Sequence, residues 1–183
     1  MNQKSENTTN ESVLHTHQFS TPIGDMHVGA TDAGVCLLEF SDRQTLETQF
    51  EDLRRMLKAK IVEGKNEHTR KAVTQVCEYF EGNRMAFDLE LLMLGTEFQN
   101  RVWKELQNIP FGTTRAYGEQ AMALGDKKAI RAVASANGKN RMAIVIPCHR
   151  VIGATGELTG YAGGLHRKRW LLNHESSQLS LGI

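Results

Sequence analysis

The stretch Tyr117-Gly118-Glu119-Gln120-Ala121-Met122-Ala123-Leu124, then Gly125-Asp126-Lys127-Lys128, then Ala129-Ile130-Arg131-Ala132-Val133-Ala134-Ser135-Ala136-Asn137 decides the reading of the C-terminal half. Two short helical segments flank a Gly-containing turn, the spacing of a helix-turn-helix. The second segment carries one long cation, Arg131, among small side chains. Small residues allow close approach of a helix backbone, either to a nucleic-acid groove or to a neighbouring helix in a core, and composition alone leaves both readings open.

Upstream of this unit, Thr96-Glu97-Phe98-Gln99 has the capping-box pattern, and Phe98, Val102 and Leu106 continue a helical stripe until Pro110-Phe111-Gly112 breaks it. Gly95 reads as the hinge before it. In the N-terminal half, apolar stretches from Val13 to Ser41 are punctuated by Pro22-Ile23-Gly24-Asp25 and Asp32-Ala33-Gly34, which predicts an antiparallel meander. Leu46, Phe50, Leu53 and Leu57 then recur at helical spacing with Arg54, Arg55 and Lys58 outside. A second helix is expected from about Thr69 to Phe80, with Val73, Val76, Cys77 and Phe80 inward and Gly82-Asn83 as its stop. Residues 1–12, rich in Asn, Thr, Ser and Glu, bury too little to offset ordering and read as a tail.

The 183 residues, 40% apolar and 23% charged, suffice for a domain with a real core. No apolar run approaches the roughly eighteen residues of a membrane span, and the N-terminus shows no signal-peptide pattern. Three cysteines, Cys36, Cys77 and Cys148, without C-x-x-C spacing, suit free thiols in a reducing compartment, so a cytoplasmic location is expected, or the nucleus in a eukaryote. The net charge of +1 hides a division: residues 1–95 carry 10 Lys/Arg against 15 Asp/Glu, and 96–183 carry 12 against 6. A basic half points to a polyanion partner, since cations near phosphates release counterions.

Ala143-Ile144-Val145-Ile146 reads as a buried strand ending in Pro147-Cys148-His149-Arg150-Val151. Cys36 and Cys77, on an apolar strand and an apolar helix face, read as inert small hydrophobes. Cys148 differs because an imidazole and a guanidinium follow it, and such neighbours favour thiolate. Adjacent residues of an extended chain point opposite ways, so a Cys148–His149 link needs a turn or a water. A base usually needs an orienting group. Of the acidic residues after the motif, Glu157 lies in a Gly156-containing turn and Glu175 follows the helix through Trp170-Leu171-Leu172, and Glu175 is favoured. Metal-ligand spacing is missing around Cys148, and His15 and His17 form only a pair; no metal and no cofactor are expected. Gly160-Tyr161-Ala162-Gly163-Gly164 lacks the Lys and helix context of a phosphate loop.

Ile146-Pro147-Cys148-His149-Arg150-Val151-Ile152, with Tyr161-Ala162-Gly163-Gly164 downstream, resembles the signature of methylated-DNA–protein-cysteine methyltransferases, the O6-alkylguanine-DNA alkyltransferases, and is most similar to bacterial Ogt-like members. The similarity runs from about Gly95 to Glu175 through Phe98-Gln99, Val102-Trp103, Ile109-Pro110-Phe111-Gly112, Tyr117, Arg131-Ala132-Val133 and Trp170-Leu171-Leu172. It implies an α+β (α/β) fold: a small ribonuclease-H-like antiparallel-sheet domain at 13–94, a winged-helix-like domain with the helix-turn-helix at 95–177, and a tail at 178–183.

The same resemblance implies that Cys148 takes the alkyl group from O6-alkylguanine, and by extension O4-alkylthymine, irreversibly and once per molecule. Removing the base from the stack is a physical requirement of that chemistry. His149 is implied to polarise Cys148 through water and Glu175 to orient His149. Tyr117 is expected against the flipped base, Lys168 near the pocket, and Asn140 as the tie between the recognition helix and the active-site loop. Arg131 is expected to fill the space left by the extruded nucleotide, with Ala132, Ala134, Ser135, Ala136 and Arg150 on the DNA, entered by the minor groove. Tyr161, Ala162, Val151 and Trp103 are expected to line the substrate pocket. Ala116 and Ala162 stand where some relatives carry Ser or Thr, which implies a roomier pocket. The expected partner is double-stranded DNA bearing the lesion, met by a monomer with no membrane association. A non-catalytic lesion binder, a Cys-His-Glu hydrolase and a winged-helix repressor are the competing functions.

Overall fold

The computed structural model describes residues 12–180. The N-terminal half holds a four-stranded sheet in the order β3-β2-β1-β4, with β1 Ser12–Phe19, β2 Met26–Thr31, β3 Gly34–Phe40 and β4 Ala59–Glu63. The first three strands form the expected antiparallel meander, His17 facing Val28 and Val28 facing Leu38. The sheet is nevertheless mixed, which corrects the antiparallel expectation: β4 runs parallel to β1, with Leu14 opposite Ile61. A parallel neighbour requires a crossover, and helix α1, Leu46–Leu57, supplies it. The strand Ala59–Glu63 has only five residues and is half-buried, too short for a period-two pattern to stand out in the sequence. Ser12 opens β1, so the expected tail at 1–12 is corrected at Ser12, and the rest of it lies outside the described residues.

Each face of the sheet is covered. Leu46 and Leu53 of α1 pack with Leu14, Leu37 and Ala59, and Cys36 joins them because it is the extra residue of a bulge between the Gly29–Leu37 and Ala30–Val35 pairs. The opposite face, Met26, Val28, Leu38 and Phe40, meets helix α2, Glu67–Phe80, and the C-terminal half in one continuous core. Within α2 the inward residues are Ala72, Val76 and Tyr79; Cys77 is exposed, contrary to its expected inward position, because the stripe follows Tyr79 one residue to the side of Phe80.

The C-terminal half comprises α3 Glu97–Leu106, the two-residue β5 Arg115–Ala116, α4 Tyr117–Ala123, α5 Ile130–Gly138, a 3-10 turn at Cys148–Arg150, β6 Val151–Ile152 parallel to β5, and α6 Leu165–Ser180. The capping box forms as written, Thr96 accepting from the Gln99 amide at 3.3 Å and Gln99 from the Thr96 amide at 2.9 Å. The expected tail at 178–183 is corrected over 178–180, where α6 continues through Ser180, and 181–183 lie outside the described residues.

The edge strand β3 is where the two halves join. Val35 pairs with the connecting segment, donating to Glu90 O and accepting from Leu92 N, both at 2.8 Å. Leu38 pairs with the chain that leads to Cys148, donating to Arg141 O and accepting from Ala143 N, again at 2.8 Å. An edge that would invite a foreign strand is thus closed internally, and the segment before Cys148 is fastened to the sheet.

Candidate active site

Beyond Met142 the expected strand Ala143–Ile146 is a tight turn instead: Ile146 N–H donates to Met142 O at 2.9 Å, Val145 N–H to Ala143 O at 2.8 Å, and Ile144 sits at φ +71°. A β-branched residue there costs about 1–3 kcal/mol. The Asn140 side chain is what holds the turn. Its Oδ1 accepts from Met142 N at 2.9 Å, and its Nδ2 donates to Ile146 O at 2.8 Å and lies 3.3 Å from Cys148 Sγ. The C-cap of α5 is Lys139, so Asn140 acts beyond an ordinary helix end, tying the segment after α5 to the thiol.

Cys148 opens the 3-10 turn and is buried. Burial pushes its thiol up, the Asn140 amide opposes that, the Glu39 carboxylate adds to it, and Lys168 and Arg43 oppose it again. The turn carries His149 to the other side, where Nε2 lies 2.7 Å from Glu175 Oε1 on α6. An ionised carboxylate only accepts, so Nε2 carries the hydrogen and Nδ1 of neutral His149 is an acceptor. That Nδ1 is buried with no partner. Burial holds the imidazole below its ordinary value against the pull of Glu175.

Glu175 is fully buried. Desolvation disfavours its charge, but His149 and Arg150 outweigh that and hold it well below the ordinary carboxylate range. Arg150 grips it from both nitrogens, Nε to Oε2 at 2.9 Å and Nη2 to Oε1 at 3.0 Å, and ties to Ile109 O at 2.7 Å. Gly112 N donates to Oε2 and the Tyr79 hydroxyl to Oε1, each at 2.9 Å. Glu157, the other acidic residue after the motif, is exposed and bonds to Thr155.

Lys168 and Tyr117 stand together on the approach to the thiol. Lys168 is fully buried, not a solvated cation: Nζ donates to Val151 O and, at 2.6 Å, to Thr159 O, 5.9 Å from the centre of the Tyr117 ring. Burial brings its ammonium down to about 8, with Cys148 pulling the other way. The half-buried Tyr117 opens α4 and donates to Gly160 O at 3.1 Å. The Tyr161 hydroxyl is buried and unpartnered, and Ala162 is exposed.

On α5, Arg131, Ala132 and Ser135 are exposed and Ala134 is half-buried. Four expected roles are corrected. Ala136 is buried, its carbonyl accepting from Trp103 Nε1 at 2.9 Å, so it faces α3 and not solvent; Trp103 is for the same reason a core residue and no pocket wall. Arg150 is the buried clamp on Glu175 and has no face for DNA. The Val151 side chain belongs to the core, and only its carbonyl meets Lys168. In each case the role was implied by the residue's place in the family pattern, which does not report which way its side chain turns.

The N-terminal half supplies residues that the sequence did not single out. Arg43 donates to Gly138 O at 2.8 Å and Asn140 O at 3.0 Å while paired with buried Glu39. Arg167 of α6 forks onto Asp42 at 2.9 and 2.8 Å, holds Gly163 O at 3.0 Å, and stacks 4.2 Å from the Phe40 ring centre. Tyr79 reaches Glu175 across 96 positions of sequence. No local pattern reports contacts at such separation.

Comparison with known proteins places this arrangement. The sequence model described as 6-O-methylguanine DNA methyltransferase, ribonuclease-like domain, matches residues 14–93, and that described as 6-O-methylguanine DNA methyltransferase, DNA binding domain, matches residues 97–177. A methylated-DNA–protein-cysteine methyltransferase of Methanosarcina barkeri is 42% identical over 162 residues, 88% of this chain and 96% of the relative. The chain belongs to the 6-O-methylguanine DNA methyltransferase family. The family member of the same description from Mycobacterium bovis is 57% identical over 107 residues; that match takes in 58% of this chain and 65% of the relative's length. Among solved structures, the O6-methylguanine methyltransferase of Mycobacterium tuberculosis superposes with a TM-score of 0.77 at 40% identity, over 93% of this chain and 99% of its own. The same protein in complex with DNA gives 0.78 at 39% identity, over 92% and 99%. The family's two-part architecture, a mixed sheet followed by a helical DNA-binding part, is the one seen here.

Proposed function

We propose that this chain repairs O6-alkylguanine in double-stranded DNA by moving the alkyl group irreversibly to Cys148. The observation that carries the reading is the buried thiol, in contact with the Asn140 amide, one residue from an imidazole locked on Glu175 with its second nitrogen open. The thiol proton passes through one water to His149 Nδ1, and the sulfur electron pair forms the bond to the alkyl carbon. The carbon–O6 bond breaks with its electron pair going to the purine, which takes up a proton and becomes guanine. Tyr117 and Lys168 stabilise the charge that builds on the purine during this step. A thioether offers no route back, so each molecule acts once.

The reading assigns the exposed face of α5 to DNA, with Arg131 filling the gap left by the extruded nucleotide and Ala132 and Ser135 against the backbone. The open flank at Ala162, with Ala116 before Tyr117, supports a pocket that accepts groups larger than methyl and extends to O4-alkylthymine. The acting species is proposed to be a monomer, in the cytoplasm or, in a eukaryote, the nucleus.

The deciding experiment mixes the protein with equimolar duplex carrying one O6-methylguanine, then measures intact mass and maps peptides. One methyl per chain on the Cys148 peptide, none in Cys148→Ala, is the expected result. Tight lesion binding without mass gain overturns the transfer and leaves a lesion-binding protein.

A further inference from the structure

Glu175 is over-subscribed. Its two oxygens receive five donors, and Oε1 alone takes three: His149 Nε2 at 2.7 Å, the Tyr79 hydroxyl at 2.9 Å and Arg150 Nη2 at 3.0 Å. A carboxylate offers about four lone-pair sites, so donors on one oxygen compete for the same charge. Three of these partners have an evident purpose, since Arg150 neutralises a buried charge, His149 is the base, and Gly112 is backbone. Tyr79 comes from α2 in the other half of the molecule, where a phenylalanine would fill the same space.

We propose that Tyr79 is a positioning residue for the Cys148–His149 pair: by sharing Glu175 Oε1 with His149 Nε2, its hydroxyl limits how strongly the carboxylate favours a protonated imidazole. The proposal rests on the alkyl-transfer reading, because a water-mediated base must be neutral, with Nδ1 open, before each reaction. A carboxylate free to give all its charge to Nε2–H raises imidazole basicity and closes Nδ1 with a proton. Arg150 and Tyr79 together draw that charge away.

Tyr79 is held for this task. Its side chain is fully buried, its carbonyl accepts from His174 Nε2 at 2.7 Å, and its ring lies 5.2 Å from His174, 5.7 Å from Phe87 and 6.1 Å from Phe111. The hydroxyl therefore has one acceptor and a fixed direction. Burial, then the adjacent Glu175, push the phenol far above its ordinary value, so it stays a donor throughout the working pH range. The charged and titratable groups around His149 are Glu175 and Lys168 from α6, Arg150 and Cys148 from the 3-10 turn, and Tyr79 from α2; His174 of α6 and Tyr161 bear on Tyr79.

The test is an imidazole nitrogen NMR titration of His149, its signal identified by loss in His149→Gln, in the wild-type chain, in Tyr79→Phe, and with 3-fluorotyrosine at position 79. Tyr79→Phe keeps the ring packing and the His174 bond and removes only the donor, so the His149 midpoint is expected to rise by roughly half to one pH unit. Fluorotyrosine is a stronger donor and is expected to move it down. The acid limb of Cys148 methylation follows in the same directions. A midpoint unmoved in both variants, or moved the opposite way, overturns the proposal, and a lowered melting temperature with an unmoved midpoint makes Tyr79 a latch between halves only. If the wild-type chain gains no methyl, the transfer reading falls while the His149 midpoint still decides the coupling.

Discussion

Cys36 and Cys148 are both buried thiols, one in a strand bulge and one at the start of a 3-10 turn, and their surroundings could hardly differ more. Cys36 lies among Leu14, Leu37, Leu46 and Leu53, its sulfur 3.6 Å from Gly29 O, and the Arg141 charge that opposes burial there does not overcome it. Burial there pushes its thiol up to about 12. Cys148 is no more exposed in practical terms, yet it has the Asn140 amide in contact and the Lys168 and Arg43 cations near enough to oppose desolvation. Exposure does not separate a reactive thiol from an inert one; donors and charge that favour thiolate do. The charged and polar surroundings of Cys148 are also drawn from both halves of the molecule, Glu39 and Arg43 from one and Asn140 and Lys168 from the other, whereas Cys36 sits in an apolar cluster built mainly by the sheet and α1.

Cys148→Ala is expected to abolish methyl transfer while Cys36→Ala keeps full stoichiometry, as read by intact mass after reaction with an O6-methylguanine duplex. Removing the donor without the thiol is the sharper version: Asn140→Ala is expected to slow single-turnover transfer by about 10²-fold and to raise the thiol midpoint in an absorbance titration of thiolate. An unchanged thiol midpoint there shows that the amide serves only the turn.

On the acidic side of the site, Arg150→Met leaves the buried Glu175 charge with weaker compensation and is expected to cost about 3–5 kcal/mol in denaturant unfolding near neutral pH. The sign with pH follows from the depressed Glu175 pKa: its ionisation stabilises the fold above the unfolded value of 4.5, and that contribution fades as pH falls towards the folded value. Losing Arg150 lessens the depression, so the deficit against wild type narrows in acid. In the sheet, Cys36→Ala should cost about 1–2 kcal/mol from the cavity it leaves. The exposed Cys77 sets the baseline, Cys77→Ser falling within about 0.5 kcal/mol of wild type.

Much of the helical structure in both halves was legible from local pattern. The capping box at Thr96, the helix pair around Gly125, and the amphipathic stripe from Leu46 to Leu57 all declare themselves within one or two turns of chain, because their partners are three or four residues away. The stretch Ala143–Ile146 misled for an equally physical reason. β-Branched residues report burial, and the run is buried, but after Ala143, whose N–H still pairs with Leu38 O, its backbone groups are satisfied by Asn140 and by the turn itself. The strand β4 was hidden because it is short and half-covered, and because its partner β1 lies beyond an intervening helix.

The chemistry of the site divides in the same way. By itself the sequence determined that a cysteine is followed by an imidazole and a guanidinium, that Glu175 follows on a helix, and that a basic half carries a helix-turn-helix, since these are matters of residue type and short spacing. Only the tertiary structure decided that Arg150 turns inward onto Glu175, that Trp103 and Ala136 bind each other in the core, and that Tyr79 crosses from the sheet half to the carboxylate. Side-chain direction at a turn, and contacts across 96 residues of chain, are set by how packed elements meet, and a sequence window contains only one of the two surfaces.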